Sequence, residues 1–224
     1  MIPSKLGNTF IKKHHYSGKV VPNSQLHFGV FLNNQLHGVG QFGPSLDKSK
    51  IIGLVKDTKW NEFLELNRLA FDEYLPKNSE SRGIAIMMRL IKKNAPHIKW
   101  VVSFADACQC GDGTIYRASG FVLTYIKKNE SIYKMPDGDI IHEWQLRVNA
   151  TAIKRKVMEL SKGSSSLTIA RGKLNMIRLK GFQLRYIYFL DKSYRSRLTV
   201  PEIPFSKIKE MGASMYKGVK RDKH

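Results

Sequence analysis

The stretch LPKNSESRGIAIMMRLIKK, residues 75–93, decides how the chain is read. It opens as a polar loop, passes through Gly83, and turns apolar-rich at helical spacing until Pro96 stops it. A helix is therefore expected from about Gly83 to Lys93. KWVVSFAD, residues 99–106, follows as a buried strand. Next come a glycine-studded run ending at Gly113, a short helix around Tyr116, and the strand FVLTYIKK, residues 121–128. Upstream, Leu26–Gly43 reads as a β-hairpin turning at Asn33, Asn34 and Gln35. WNEFLELNRLAFD, residues 60–72, fits a helix or a strand equally. Strand, loop, helix, strand, loop, helix, strand predicts an α/β domain whose strands lie side by side.

Working outward, the chain of 224 residues has length for one such domain, residues 1–224, with a further strand at FQLRYIYFLD, residues 182–191. Residues 161–173, SKGSSSLTIARGK, read as a flexible insertion, linker or lid. Residues 205–224 read as a basic, loosely ordered tail. No run of about 18 apolar residues offers a membrane span, and the N-terminus lacks the apolar stretch of a signal peptide. Cys108 and Cys110, the only cysteines, stand too close for an ordinary bridge, which fits a reducing cytoplasm. The 38 Lys and Arg against 18 Asp and Glu give a net charge of +20, and residues 150–224 hold 18 of those cations against 5 acids. That balance asks for a polyanionic partner, nucleic acid ahead of an acidic membrane. Cations there interleave with Tyr186, Tyr188, Phe189, Tyr194 and Tyr216, a pattern suited to phosphate neutralisation and base stacking and equally to an ordinary strand.

Residues 78–85 begin a helix, where backbone N–H groups without intrahelical partners and the helix dipole favour an anion. Gly83 and Ala85 would let a phosphate approach, and Arg82 would add a forked contact. The alternative is that Ser79 or Ser81 simply caps the helix. Neither a Walker nor a Rossmann glycine pattern is present. Followed by a strand and then Y-R-A-S-G-F at residues 116–121, this loop resembles the GNAT acyltransferase superfamily. The resemblance implies a mixed central sheet with flanking helices, a loop cradling coenzyme A, and Tyr116 protonating the departing thiolate. Glu80 departs from the pattern, placing a carboxylate where the superfamily prefers Gln or Arg and where a pyrophosphate would be repelled.

A longer ordered set runs HHYSG (14–18), ELNRLAFDE (65–73), SRGIA (81–85), VVSFAD (101–106), GTIYRASGF (113–121), QLRYIYFLD (183–191) and PFSKIKEMGASMYKG (204–218). In this order it is similar to the Mom family of phage DNA-modification proteins, a divergent GNAT-like group. That resemblance implies an enzyme of the host cytoplasm that converts adenine N6 in double-stranded DNA to its carbamoylmethyl form, protecting the DNA from restriction. It implies His15, Tyr16, Ser103, Asp106 and Tyr116 as catalytic residues, and Asn67, Arg68, Arg82, Gly83 and Ala85 as cofactor-binding ones. Asp106 would accept or orient the N6 proton, and Tyr116 would donate or relay one. His15, Tyr16 and Asp106 also supply an N/O set suited to ferrous iron, whereas Cys-x-Cys lacks the spacing of a zinc site.

The product constrains the donor. Acetyl transfer from an acyl-CoA bonds N6 to a carbonyl carbon, whereas carbamoylmethyl is bonded through its methylene. A glycine-derived donor, or a metal-opened route, is expected. The base must leave the duplex to react, and Tyr16, Phe104 or Tyr125 would stack on it. Two other readings fit parts of the sequence: an acyl-CoA-dependent N-acyltransferase, and a DNA-binding protein without catalysis.

Overall fold

A computed structural model of the protein describes residues 1–147, 152–160, 162, 172 and 174–220; the segment expected as an insertion or lid at 161–173 lies almost wholly outside them. Helix α1 (Ser4–His14) buries Gly7, Phe10 and Ile11, one apolar stripe at three- and four-residue spacing, against Val39 and Ala70. Lys12, Lys13 and His14 crowd its last turn, where positive charge suits the dipole, and His15 leaves helical geometry to end it. Strands β1 (Leu26–Leu32) and β2 (Gln35–Gly43) form the expected hairpin. Asn33 and Asn34 turn it with φ of 49° and 60°, the left-handed pair that matches strand twist.

After a short helix α2 (Lys48–Ile52), the ambiguous segment resolves as strand β3 (Phe63–Phe71). Its Phe63 ring lies flat on Trp100, with centroids 4.4 Å apart, a contact that adds about 0.5–1.5 kcal/mol to the burial itself. Helix α3 (Ser79–Asn94) starts ahead of Gly83, because Asn78 turns the chain at φ 71°. Ile84, Met87, Met88 and Ile91 seat α3 on the sheet, and a Cβ on Gly83 would stand 3.1 Å from the Phe71 ring. Ser79 and Ser81 donate back to Pro76 O and Asn78 O instead of capping the helix.

The chain continues through β4 (Trp100–Asp106), α4 (Thr114–Ala118), β5 (Val122–Lys128), β6 (Ile132–Lys134), β7 (Ile140–His142), α5 (Trp144–Arg147) and α6 (Ala152–Leu160). Then follow β8 (Ile177–Arg178), β9 (Phe182–Phe189), a 3-10 turn at Lys192–Arg197, α7 (Ser206–Glu210), β10 (Met215–Tyr216) and β11 (Val219–Lys220). The main sheet has six strands in the order β1-β2-β3-β4-β9-β5, with β3–β4 parallel and the other neighbours antiparallel. It is a mixed α/β fold with flanking helices, as the sequence predicts.

Three features go beyond the sequence reading. Strands β4 and β5 do not pair: β9 runs between them, so Val102 and Val122 both face Ile187. Leu184 and Tyr186 of β9 fill the core under α3, while Ile187 and Phe189 fill the opposite one, so a central position suits both faces of β9. Between β5 and β9 a second sheet, β7-β6-β8, carries its own core of Tyr133, Met135, Ile141, Leu146, Val157 and Met176. The tail is not loose as far as Lys220. Ile208, Ala213 and Met215 join the main core, and the β10–β11 turn donates from Lys217 N to Cys110 O (2.8 Å) and from Gly218 N to Ala107 O (3.0 Å). No helix among the described residues is long and apolar enough to cross a membrane.

Candidate functional site

The two parallel strands stay paired for three registers only, Phe63–Trp100, Leu64–Val101 and Glu65–Val102, and then part. Past that point each leaves backbone and side chains facing a gap at the C-terminal ends of the strands, the usual place for a ligand in an α/β sheet. A cavity of about 1110 Å³ opens there, walled by β3, β4, the Cys108–Gly113 loop, α4, the end of α1, the β7 edge of the second sheet and the C-terminal hairpin.

A bulge arranges the β3 wall. Arg68 pairs with Gln41 and Leu66 with Phe42, so Asn67 is an extra residue without a counterpart in β2. Leu64 and Leu66 pack into the core beneath α3, whereas Ala70 packs with Phe10 on the other face. The extra residue brings Glu65 and Arg68, three apart, into the same cavity. Arg68 is clamped by its own backbone surroundings, donating from Nε to Lys19 O (3.0 Å) and from one terminal nitrogen to Asn67 O (2.7 Å). Its remaining donors suit an anionic or carbonyl oxygen.

The end of α1 delivers His15 and Tyr16, whose rings lie 4.2 Å apart. Ser17 N donates to His15 Nδ1 (3.2 Å), which assigns the ring proton to Nε2 and makes that edge a donor. Burial, and then the Arg68 guanidinium, push the imidazole down to about 3, so it is neutral at pH 7. Burial, followed by the Asp106 charge, holds the Tyr16 phenol above the ordinary tyrosine range, although the residue as a whole is 46% exposed at the mouth.

Tyr116 sits on α4, which begins at Gly113 with φ +83°, where a Cβ would collide with the Tyr186 ring. The Tyr186 hydroxyl donates to Asp112 O (2.5 Å) and fixes this start. Tyr116 packs between Phe121 and Tyr186, and burial pushes its phenol up to about 12, with Ser103 alongside pulling the other way. Ser103 is fully buried beneath the cavity and donates to Leu66 O (3.4 Å), bridging the strands where they part.

Asp106 faces the cavity, but its carboxylate already accepts from Cys108 N (2.9 Å), Gln109 Nε2 (2.6 Å) and Gln183 Nε2 (2.8 Å). It ties β4, β9 and the cysteine loop together. The proposed iron ligands fail to form a set: His15 Nδ1 is taken by Ser17 and both Asp106 oxygens are engaged. Among the described residues no three His, Cys, Asp or Glu side chains gather as metal ligands. The iron expectation therefore does not fit the residues present.

Of the residues singled out by sequence, the cavity gathers His15, Tyr16, Asn67, Arg68, Asp106 and Tyr116, with Ser103 beneath. Arg82, Gly83 and Ala85 stand outside its wall: Gly83 is spent on packing against Phe71, while Arg82 and Ala85 are exposed. Glu80, at the start of α3, does line it. Phe104 and Tyr16 line it as candidate stacking rings, whereas Tyr125 lies outside, under Arg185. Sequence reading did not single out Glu65 or Lys217, and it named Tyr216 only as an interleaved aromatic and Cys110 only within Cys-x-Cys; all four are on the wall. Glu65 stands two residues before Asn67 in the motif ELNRLAFDE, and Tyr216 and Lys217 fall within the motif at 204–218, but no local pattern announces that the hairpin docks on this wall.

The geometry defines a mixed α/β protein with a polar, cation-bearing cavity between two parted parallel strands. Residues 1–207 match the model of the Mom protein family, and the chain belongs to that family. It is 37% identical over 194 residues to the methylcarbamoylase Mom of Escherichia phage Mu, covering 86% of this chain and 75% of that protein. Among solved structures, the Escherichia coli ribosomal-protein-S18-alanine N-acetyltransferase is similar with a TM-score of 0.42 at 11% identity, over 85% of this chain and 91% of that one. A Bacillus subtilis acetyltransferase solved in complex with CoA is similar with a TM-score of 0.41 at 11% identity, over 84% and 94%.

Proposed function

We propose that the protein is a DNA-modifying transferase that converts adenine N6 in double-stranded DNA to its carbamoylmethyl form and so shields the DNA from restriction. The observation that carries this reading is the cavity between β3 and β4. Its volume of about 1110 Å³ is that of a site for an extruded purine together with a small donor. Membership of the Mom family and the name of its phage Mu relative support the chemistry.

The residues divide the work. Phe104, 43% exposed at the wall, and Tyr16 offer faces on which a flipped base stacks. His15 Nε2–H and Arg68 aim donors into the cavity and hold ring nitrogens or a carboxamide oxygen. Tyr116, protonated at neutral pH, supplies a proton to the departing group of the donor. Asp106 acts through the loop it ties down. Lys19 and Lys217, exposed on the rim, meet the phosphates flanking the extruded base. Glu80 sets negative charge at the start of α3, which weighs against a pyrophosphate-bearing donor docking there and favours a compact glycine-derived one.

The test is to express the protein, digest total cellular DNA to nucleosides and weigh them. A new deoxyadenosine heavier by one carbamoylmethyl group is the expected result; an unmodified adenine pool beside soluble protein would overturn the reading.

A further inference from the structure

Adenine N6 is a poor nucleophile because its lone pair is delocalised into the ring, so its proton must leave as the new bond forms, and a nearby base must take it. The geometry points to Glu65 as that base, an inference that rests on the adenine-modifying reading above. In the step, the N6–H bond breaks and its proton passes to a Glu65 carboxylate oxygen. The N6 electron pair becomes the bond to the methylene carbon of a donor whose methylene bears a carboxamide and a leaving group. That group departs with the pair of the broken bond and takes its proton from Tyr116.

The other acids on the cavity wall are committed or misplaced. Asp106 accepts three hydrogen bonds that anchor its loop. Asp112 accepts from Thr114 Oγ1 (2.9 Å) and Arg117 (3.2 Å) and is almost wholly buried. Asp139 pairs with Lys156 at 2.7 Å. Glu73 is exposed beyond the end of β3, and Glu80 opens α3. Glu65 alone stands where the parallel strands begin to part, placed there by the Asn67 bulge on the same wall as Arg68 and within electrostatic reach of the Tyr116 phenol.

Its surroundings suit a base. Burial raises the carboxyl above the usual range, while the Ser45 hydroxyl, the Asn67 amide and the Arg68 guanidinium pull partly back. Ser45 Oγ is itself buried with no partner in bonding geometry, so it lies beside Glu65 without a formed bond. A desolvated carboxylate of raised pKa gains more by taking a proton than a solvated one, while the nearby cation favours its charged form.

The experiment compares the modified-adenine fraction in DNA from cells expressing wild type, Glu65→Gln, Glu65→Asp and Asp106→Asn, each with its melting temperature and its retention on heparin. Glu65→Gln should lower modification by at least about 100-fold while melting and heparin retention stay at wild-type values. Glu65→Asp, which keeps a carboxylate on the wall, should retain a measurable fraction. Wild-type levels in both Glu65 variants would overturn the inference and leave the function standing. So would loss in Asp106→Asn beside a fully active Glu65→Gln. No modified adenine even in wild type would instead remove the functional reading, and the role of Glu65 with it.

Discussion

Asn67 has no counterpart in the β2 ladder, and that single extra residue turns Glu65 and Arg68 toward one wall. Burial works on Glu65, Arg68, His15, Tyr16 and Tyr116 in the direction that removes the charge. Tyr116 stays a phenol, so Tyr116→Phe, which keeps the ring packed against Phe121 and Tyr186, should cut modification roughly 100-fold with little change in melting temperature. His15 makes a stability prediction. Its folded pKa, about 3, lies below the unfolded value of 6.5, so between those limits the unfolded chain binds a proton that the folded one refuses. Stability therefore rises with pH across that window and levels off above it. The melting temperature of wild type should fall from pH 7 to pH 5 more steeply than that of His15→Gln; parallel slopes would show that His15 is not held neutral.

At the scale of elements, α4 is five residues long and depends on its start. Gly113→Ala forces a side chain into φ +83° and against Tyr186, so we expect about 2 kcal/mol or more of destabilisation, read by denaturant melts, and a displaced Tyr116. How much of the architecture the sequence discloses follows the range of the forces involved. The β1–β2 hairpin is legible because Asn33-Asn34 is local turn chemistry. The α3 helix is legible by periodicity, though its start is not, since only the left-handed Asn78 marks it. Strand β3 is ambiguous because the bulge breaks its alternation, and the same bulge hides Glu65 as a wall residue. The position of β9 between β4 and β5, and the two-residue β8 that completes the second sheet, are set by contacts across tens of residues that no local pattern announces. His15, Tyr16, Arg68, Asp106 and Tyr116 were legible through the family motifs. The tight hydrogen-bond commitments of Asp106 were not, because Gln183 reaches it from β9.

For the whole molecule, a net charge of +20 sits on a fold whose cavity mouth carries Lys19 from the turn after α1 and Lys217 from the C-terminal hairpin. Binding to duplex DNA should weaken linearly in log affinity against log salt. Lys19→Ala and Lys217→Ala should each reduce the slope by about one, with no dependence on the DNA sequence used; an unchanged slope would place the DNA elsewhere. The hairpin docks on the backbone loop that leads into Tyr116. The central claim is that an adenine leaves the duplex and enters the gap between β3 and β4. Photocrosslinking to duplex DNA carrying azidoadenine, followed by peptide mapping, tests it most directly. Adducts on Tyr16, Phe104 or the Gln109–Cys110 loop are predicted, and adducts confined to surface lysines away from the cavity would contradict it.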